Sequence, residues 1–339
     1  MQFIHSILLF ASEAAVIVVA LLIILFAIAL LIARGRLKPE LEIEDIGEHF
    51  KRFKHVLESE ILDKKKLKSK HKAEKKIIKL EKKSESPRKR IFVLDFDGDM
   101  KASAVDSLRQ EISAILQVAT EEDEVVLRLE SPGGVVHGYG LAASQLMRLT
   151  TRSITLNICV DKIAASGGYM MACVGSKILA APFAIIGSIG VVASLPNFHK
   201  LLQKHDVEYK EVTAGEYKRT VSILGEITEK GMEKFKSQLE ETHVLFKNFI
   251  AHNRPTLNLN RVATGEYWYG TQALELGLID HIQTSDDYLM SQPKNAQILK
   301  IKFNIKKPLS ERFSIGISNA AQLIIEKLIY NNHSSVGKI

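Results

Sequence analysis

An α/β fold is what this sequence predicts, and three observations predict it. Between Ile91 and Ile282 short β-branched runs alternate with stretches of helical spacing, several of the runs end at glycine-bearing turns, and the pattern occurs once, without an internal repeat of the domain. Strands that alternate with helices imply parallel pairing through right-handed crossovers. An apolar stretch and then a charged one precede this body. The expected order is therefore one transmembrane helix, a charged helical arm and the α/β domain, with boundaries at 1–36, 37–90 and 91–300 and a C-terminal extension over 301–339.

Ala14 to Ala33 is a run of 20 residues with no charge, glycine or proline. A helix of that length spans about 30 Å, the thickness of a bilayer's hydrocarbon core. No Lys or Arg precedes the run and Arg34-Gly35-Arg36 follows it, which is unlike a cleaved signal peptide. The helix is expected to be retained as a lipid anchor. Positive charge on its C-terminal side puts the body in the cytoplasm, although long domains also translocate regardless of charge, which leaves a periplasmic body as the alternative. Ile178 to Leu195 is likewise uncharged, but Pro182, Gly187, Ser188 and Gly190 break it into short runs that suit buried strands.

Leu37 to about Arg90 reads as helical and solvated. Residues 64–90 carry 14 Lys or Arg against three acids, so this segment holds +11 while the whole chain holds +7 and the remainder −4. The basic balance thus belongs to one arm. A spacer that holds the body off the bilayer is the simplest reading, and attachment to anionic headgroups is the sharper one. The only aromatics in the arm are Phe50 and Phe53, and no nucleic-acid-binding motif accompanies it, so no nucleic-acid partner is expected. Ser84 to Pro87 breaks the helix.

In the body, Ile91–Phe96, Val125–Leu129 and Ile154–Val160 read as strands. Val105–Ala119, Tyr139–Leu149 and a stretch from Ala164 onward read as helices. Further on come a strand at Tyr209–Thr213, a long helix at Thr228–Ile250, a short helix–strand unit around Thr271–Ile282, and an apolar-faced helix at Phe313–Tyr330. At 46% hydrophobic and 25% charged, the composition is that of a folded protein with a sizeable core. The two cysteines, Cys159 and Cys173, form no CxxC pair and read as small buried apolar residues. Neither a disulfide framework, a metal site nor a cofactor is expected.

Four local features carry chemistry. Ala165-Ser166-Gly167-Gly168-Tyr169 puts a serine where a helix begins, with backbone N–H groups beside it that suit an oxyanion; alone, such a serine is more often a helix N-cap. Ser131-Pro132-Gly133-Gly134 ends a strand with glycines whose backbone can approach a carbonyl closely, or else forms an ordinary tight turn. Gly215-Glu216-Tyr217-Lys218 offers a lysine, which as a base must be uncharged and so buried away from acids. Gly187-Ser188-Ile189-Gly190 supplies a second hydroxyl, able to orient an amine or simply to bond its own backbone.

These motifs together closely resemble the signal peptide peptidase A family, and within it the inner-membrane, SohB-type members. The resemblance is strongest from Val125 to about Ile282, extends to the apolar helix, the Lys-rich arm and the Ile91–Phe96 strand, and weakens after about Lys300. It implies a Clp-protease/crotonase-like core of repeated ββα units. It implies a serine endopeptidase with Ser166 as nucleophile and Lys218 as general base. It assigns the N–H of Gly167, with one from Gly133 or Gly134, to the oxyanion hole, and makes Ser188 the hydroxyl that positions Lys218. The separations of 52 residues from Ser166 to Lys218 and 22 to Ser188 match the family pattern. The related Clp proteases place a histidine about 25 residues after the serine; here no histidine lies between His137 and His199, and His137 is the one rival base. The implied substrates are peptides or membrane-protein fragments, and the implied assembly is a homo-oligomer. Two rival readings share the fold: a crotonase-type acyl-CoA enzyme, which needs neither the serine, the lysine nor the anchor, and a catalytically silent membrane scaffold.

Overall fold

The computed structural model describes residues 14, 16–26, 40–83, 89–293 and 295–305. The chain divides into two compact units, Ile43–Phe303 and a second made of residues 1–42 and 304–339. Of the second unit, residues 16–26 are helical and every large apolar side chain among them is more than half exposed. The rest of the expected 14–33 span, apart from Ala14, lies outside the described residues, as does the expected C-terminal helix at Phe313–Tyr330. Among the described residues no helix is long and apolar enough to cross a membrane.

The larger unit is built on a seven-stranded sheet. Its strands are β1 (Leu41–Asp45), β2 (Arg90–Asp97), β3 (Glu124–Glu130), β4 (Thr155–Val160), β6 (Lys177–Ala180), β9 (His281–Ile282) and β10 (Gln297–Phe303). They lie in the order β1-β10-β2-β3-β4-β6-β9, and from β10 to β9 every neighbouring pair is parallel. Ile91 to Leu94 of β2 and Val125 to Leu127 of β3 are all buried. Consecutive buried residues, rather than alternating ones, mark strands covered on both faces. The covering helices show why: Val105–Ile115 buries Val105, Leu108, Ile112 and Ile115, and Val136–Thr150 buries Tyr139, Ala142, Ala143, Leu146 and Leu149, each at helical spacing. The α/β expectation with a large parallel sheet therefore holds.

A second, three-stranded sheet leads into two of the four candidate motifs, those at Ser166 and Ser188. In it β5 (Ile163–Ala165) pairs in parallel with β7 (Ile185–Gly187), which pairs antiparallel with β8 (Tyr267–Tyr269). A single bridge from Ser131 to Ala164 joins the end of β3 to this sheet.

Three local readings need correction. The helix expected from Ala164 begins at Gly167, because Ile163 to Ala165 are drawn into the β5–β7 ladder first. Tyr209–Thr213 forms no strand: these residues are exposed and have no ladder partner. The arm is not helical throughout: among its described residues Leu41–Asp45 is a strand and Ile46–Ile61 and Lys64–Lys83 are the helices. Ile46 and Phe50 of the first helix pack against a core cluster containing Ile91, Val93 and Ile298. The expected helix at Thr228–Ile250 runs from Glu229 to Asn253, with the Thr228 side chain accepting from the Gly231 N–H. Cys159 and Cys173 are buried and free, as expected, and burial pushes both thiols up to about 12, which keeps them protonated.

Candidate active site

Ser166 stands at the N-cap of the Gly167–Ala172 helix, yet its side chain makes no capping hydrogen bond. Its backbone has φ 52° and ψ −117°, outside the regions an L-residue normally occupies, at a cost of roughly 1–3 kcal/mol. The surrounding bonds impose this conformation. The Ala165 N–H donates to Ser131 O at 3.0 Å, the Ser166 N–H to Gly187 O at 2.8 Å, and the Met170 N–H to Ser166 O at 3.0 Å. Strand pairing before the serine and a helix directly after it leave one residue to make the turn. Its hydroxyl is thereby freed from the capping role that would otherwise explain it.

Ser188 is placed by the same ladder. Because Ala165 pairs with Gly187 in parallel register, Ser166 and Ser188 each follow directly on paired residues of β5 and β7. Ser188 also has positive φ, at 50°, and its N–H donates to Glu266 O at 2.7 Å.

The Gly133-Gly134 turn meets the serine from the other side. Gly133 has φ 90°, and a Cβ built on it would lie 2.7 Å from Ala165 O and 2.8 Å from both Gly167 N and Ser166 Cβ. No side chain fits there. The Gly133 N–H donates to Ser131 Oγ at 3.1 Å, whereas the Gly134 N–H has no partner among the described residues. Gly167 is the first residue of its helix, so its N–H has no intrahelical acceptor.

Tyr139 sits behind this arrangement, and sequence reasoning missed it. Its hydroxyl lies 2.6 Å from Ser131 Oγ and donates to Asp99 O at 2.8 Å. With that proton committed to Asp99, Ser131 donates to Tyr139 and accepts from Gly133, one continuous chain of bonds. The Tyr139 ring also occupies the space a side chain on Gly167 would need. Burial pushes the phenol up from its ordinary value, so the hydroxyl keeps its proton. In the sequence Tyr139 falls on the helix face of Ala142 and Leu146 and reads as plain core.

Lys218 makes no hydrogen bond or ion pair with this cluster among the described residues. It lies on an exposed loop, its N–H donates to Gly215 O at 3.1 Å, and its ammonium has no partner among the described residues. His137 is exposed, on the first turn of the Val136–Thr150 helix. A cavity of about 310 Å³ lined by Asp95, Asp97, Arg128, Glu130, Asp161 and Lys162 contains none of the site residues; it lies at the C-terminal ends of the central strands β2, β3 and β4, where the Asp95–Arg128 pair closes at 2.6 Å.

Comparison with known proteins gives the family. Residues 2–146 match the N-terminal domain of peptidase family S49, and residues 149–299 match peptidase family S49 itself. A probable protease SohB of Haemophilus influenzae is 51% identical over 300 residues, 85% of each chain. A probable protease SohB of Buchnera aphidicola subsp. Acyrthosiphon pisum is 53% identical over 247 residues, covering 73% of this chain and 74% of its own. A putative protease SohB of Buchnera aphidicola subsp. Baizongia pistaciae is 42% identical over 327 residues, covering 91% and 93%. With its parallel sheet, its strained serine and these relatives, the chain belongs to peptidase family S49 and is of the SohB type.

Proposed function

We propose that this peptidase is a membrane-bound serine endopeptidase that cleaves peptides or membrane-protein fragments through an acyl-enzyme on Ser166, with Lys218 as general base. The observation that carries the reading is the backbone of Ser166, a strained turn with an uncapped hydroxyl beside the unpartnered N–H groups of Gly167 and Gly134. In a Clp-protease/crotonase-like core, Ser166 Oγ attacks the scissile carbonyl carbon and gives its proton to the Lys218 amine. The resulting oxyanion is held by the N–H of Gly167 and that of Gly134, since Gly133 already donates to Ser131. The Lys218 ammonium then protonates the leaving amine, and the amine so regenerated activates a water that hydrolyses the ester. Ser188 Oγ orients Lys218.

An uncharged lysine needs a dry setting away from acids. In a single chain Lys218 is exposed, and so are Val192 (87%), Val212 (96%) and Tyr217 (42%) along the same segment. A homo-oligomer in which a second copy covers this segment supplies the missing burial. Membrane attachment rests on the helical, outward-facing apolar side chains of residues 16–26 within the uncharged run 14–33. Such a helix has no use for water on every side. The bacterial inner membrane is the site of attachment, with the body facing the cytoplasm. Alkaline phosphatase fused after Arg90 will then be inactive; an active fusion moves the body to the periplasm.

Reaction of the detergent-solubilised chain with a fluorophosphonate probe tests the chemistry. Labelling should map to Ser166 and vanish in Ser166→Ala. A well-folded chain that neither reacts nor cleaves peptides is a scaffold, and one that turns over acyl-CoA thioesters without labelling is a crotonase-type enzyme.

A further inference from the structure

Five buried side-chain N or O atoms lack a hydrogen-bond partner among the described residues, and three of them meet at one place: His55 Nδ1, Glu58 Oε2 and His71 Nε2. His55 and Glu58 lie three residues apart on the Ile46–Ile61 helix, hence on one face of it. His71 comes from the Lys64–Lys83 helix, which folds back after Leu62-Asp63 and brings its ring to 4.9 Å from that of His55, edge-on. The three atoms lie within 4.8 Å of one another, with His55 Nδ1 4.0 Å from Glu58 Oε2. None of these separations is a hydrogen bond. The His55 side chain as a whole is 44% exposed and that of Glu58 13%, but the three atoms themselves are shielded, and one common partner would relieve the cost of leaving all three unbonded.

We propose that His55, Glu58 and His71 form a Zn²⁺ site that pins the helical hairpin of the arm. Two imidazoles and a carboxylate, with water in the fourth position, are ordinary zinc ligands. Bonds of about 2.0–2.1 Å hold tetrahedral ligands about 3.3 Å apart, a contraction that side-chain rotations on two helices supply. The other carboxylate oxygen of Glu58 is engaged by Lys70 at 2.9 Å and Lys54 at 3.8 Å. The same ammonium groups repel a cation and weaken the site. Because Ile46 and Phe50 dock the first helix on the body, the metal would fix the direction in which the Lys-rich helix departs.

The test uses the full chain in mild detergent, stripped of metal, titrated with Zn²⁺ against a chelating fluorophore and separately with Co²⁺. The expected result is about one Zn²⁺ per chain, weakened at least about 100-fold in His71→Ala and in Glu58→Gln, and unchanged in His49→Ala on the same helix. Circular dichroism and peptidase activity should be the same in all four proteins. The Co²⁺ form of the unaltered chain should absorb in the visible as a four- or five-coordinate ion without thiolate bands. Equal binding by the unaltered chain and both triad variants means an adventitious ion only and overturns the proposal, as does a purely six-coordinate Co²⁺ spectrum or no binding at all.

Discussion

Tyr139 Oη lies 2.6 Å from Ser131 Oγ, and the pair links the Asp99 carbonyl to the Gly133 N–H. One side chain thus braces both halves of the expected oxyanion site: its hydroxyl holds the Gly133-Gly134 turn and its ring backs Gly167. Tyr139→Phe keeps the ring and removes the bond. We expect kcat to fall about 10- to 100-fold with KM within about twofold, because the donors are misplaced rather than removed, and losing one donor outright costs roughly 100- to 1,000-fold. Steady-state kinetics on a fluorogenic peptide, with the melting temperature as control, decides it. A loss confined to stability would make Tyr139 an ordinary core residue.

Gly133→Ala should be far more severe. Its Cβ would sit 2.8 Å from Ser166 Cβ and Gly167 N at a backbone φ of 90°, so the new methyl must displace Ser166 or the turn. Loss of more than about 99% of peptidase and fluorophosphonate reactivity is expected. Retention of both would mean the two segments are not held together during turnover.

Ser166→Ala and Lys218→Ala should each abolish hydrolysis to the same background, since nucleophile and base act as a unit. Ser188→Ala should cost only about 10- to 100-fold, because an orienting hydroxyl does not transfer the proton. Substantial hydrolysis by Lys218→Ala would direct attention to His137.

Val212 is 96% exposed on the Lys218 segment. If a second copy covers it, Val212→Asp will shift the chain towards monomer in analytical ultracentrifugation and lower activity in parallel, since burying a charge at a contact is costly. An unchanged assembly would remove Val212 from any interface.

Glu111 is 4% exposed, and burial raises its carboxyl to about 7; a single bond from the Phe303 N–H at 2.8 Å opposes that shift. The folded state therefore holds a proton that the unfolded chain releases near pH 4.5. Its contribution is intact below about pH 4.5 and is lost as pH rises through about 7. Glu111→Gln, which can still accept from Phe303, should gain melting temperature over the parent progressively from pH 5 to pH 8. A pH-independent difference would show that Glu111 is ionised in the folded protein throughout.

Much of the fold was legible in the sequence because strands buried on both faces and amphipathic helices write their periods directly. Ile91–Phe96, Val125–Leu129 and Ile154–Val160 each match a strand to within a residue or two. The unusual backbone of the candidate site was legible as clusters of glycine and serine, and Gly133, Ser166, Gly187 and Ser188 all have positive φ. Short elements were not. Ile163–Ala165 became a strand only because Ile185–Gly187 was there to pair with it, and Tyr209–Thr213 stayed irregular because no strand was. β-Structure of three to five residues depends on partners distant in sequence, which local pattern does not encode.

By itself, then, the sequence determined the family, the parallel α/β body, the clustering of glycines around Ser166, and the apolar run at the N-terminus. Only the tertiary structure decided that Ser166 leaves its cap unmade, that Gly133 already spends its N–H on Ser131 while Gly134 does not, and that Tyr139 ties the two segments together. It also left Lys218 in solvent within a single chain. The physical reason is the same in each case. Backbone hydrogen bonds and close approaches are made between segments tens of residues apart, and which N–H remains unpaired is settled only when every competitor has found its acceptor.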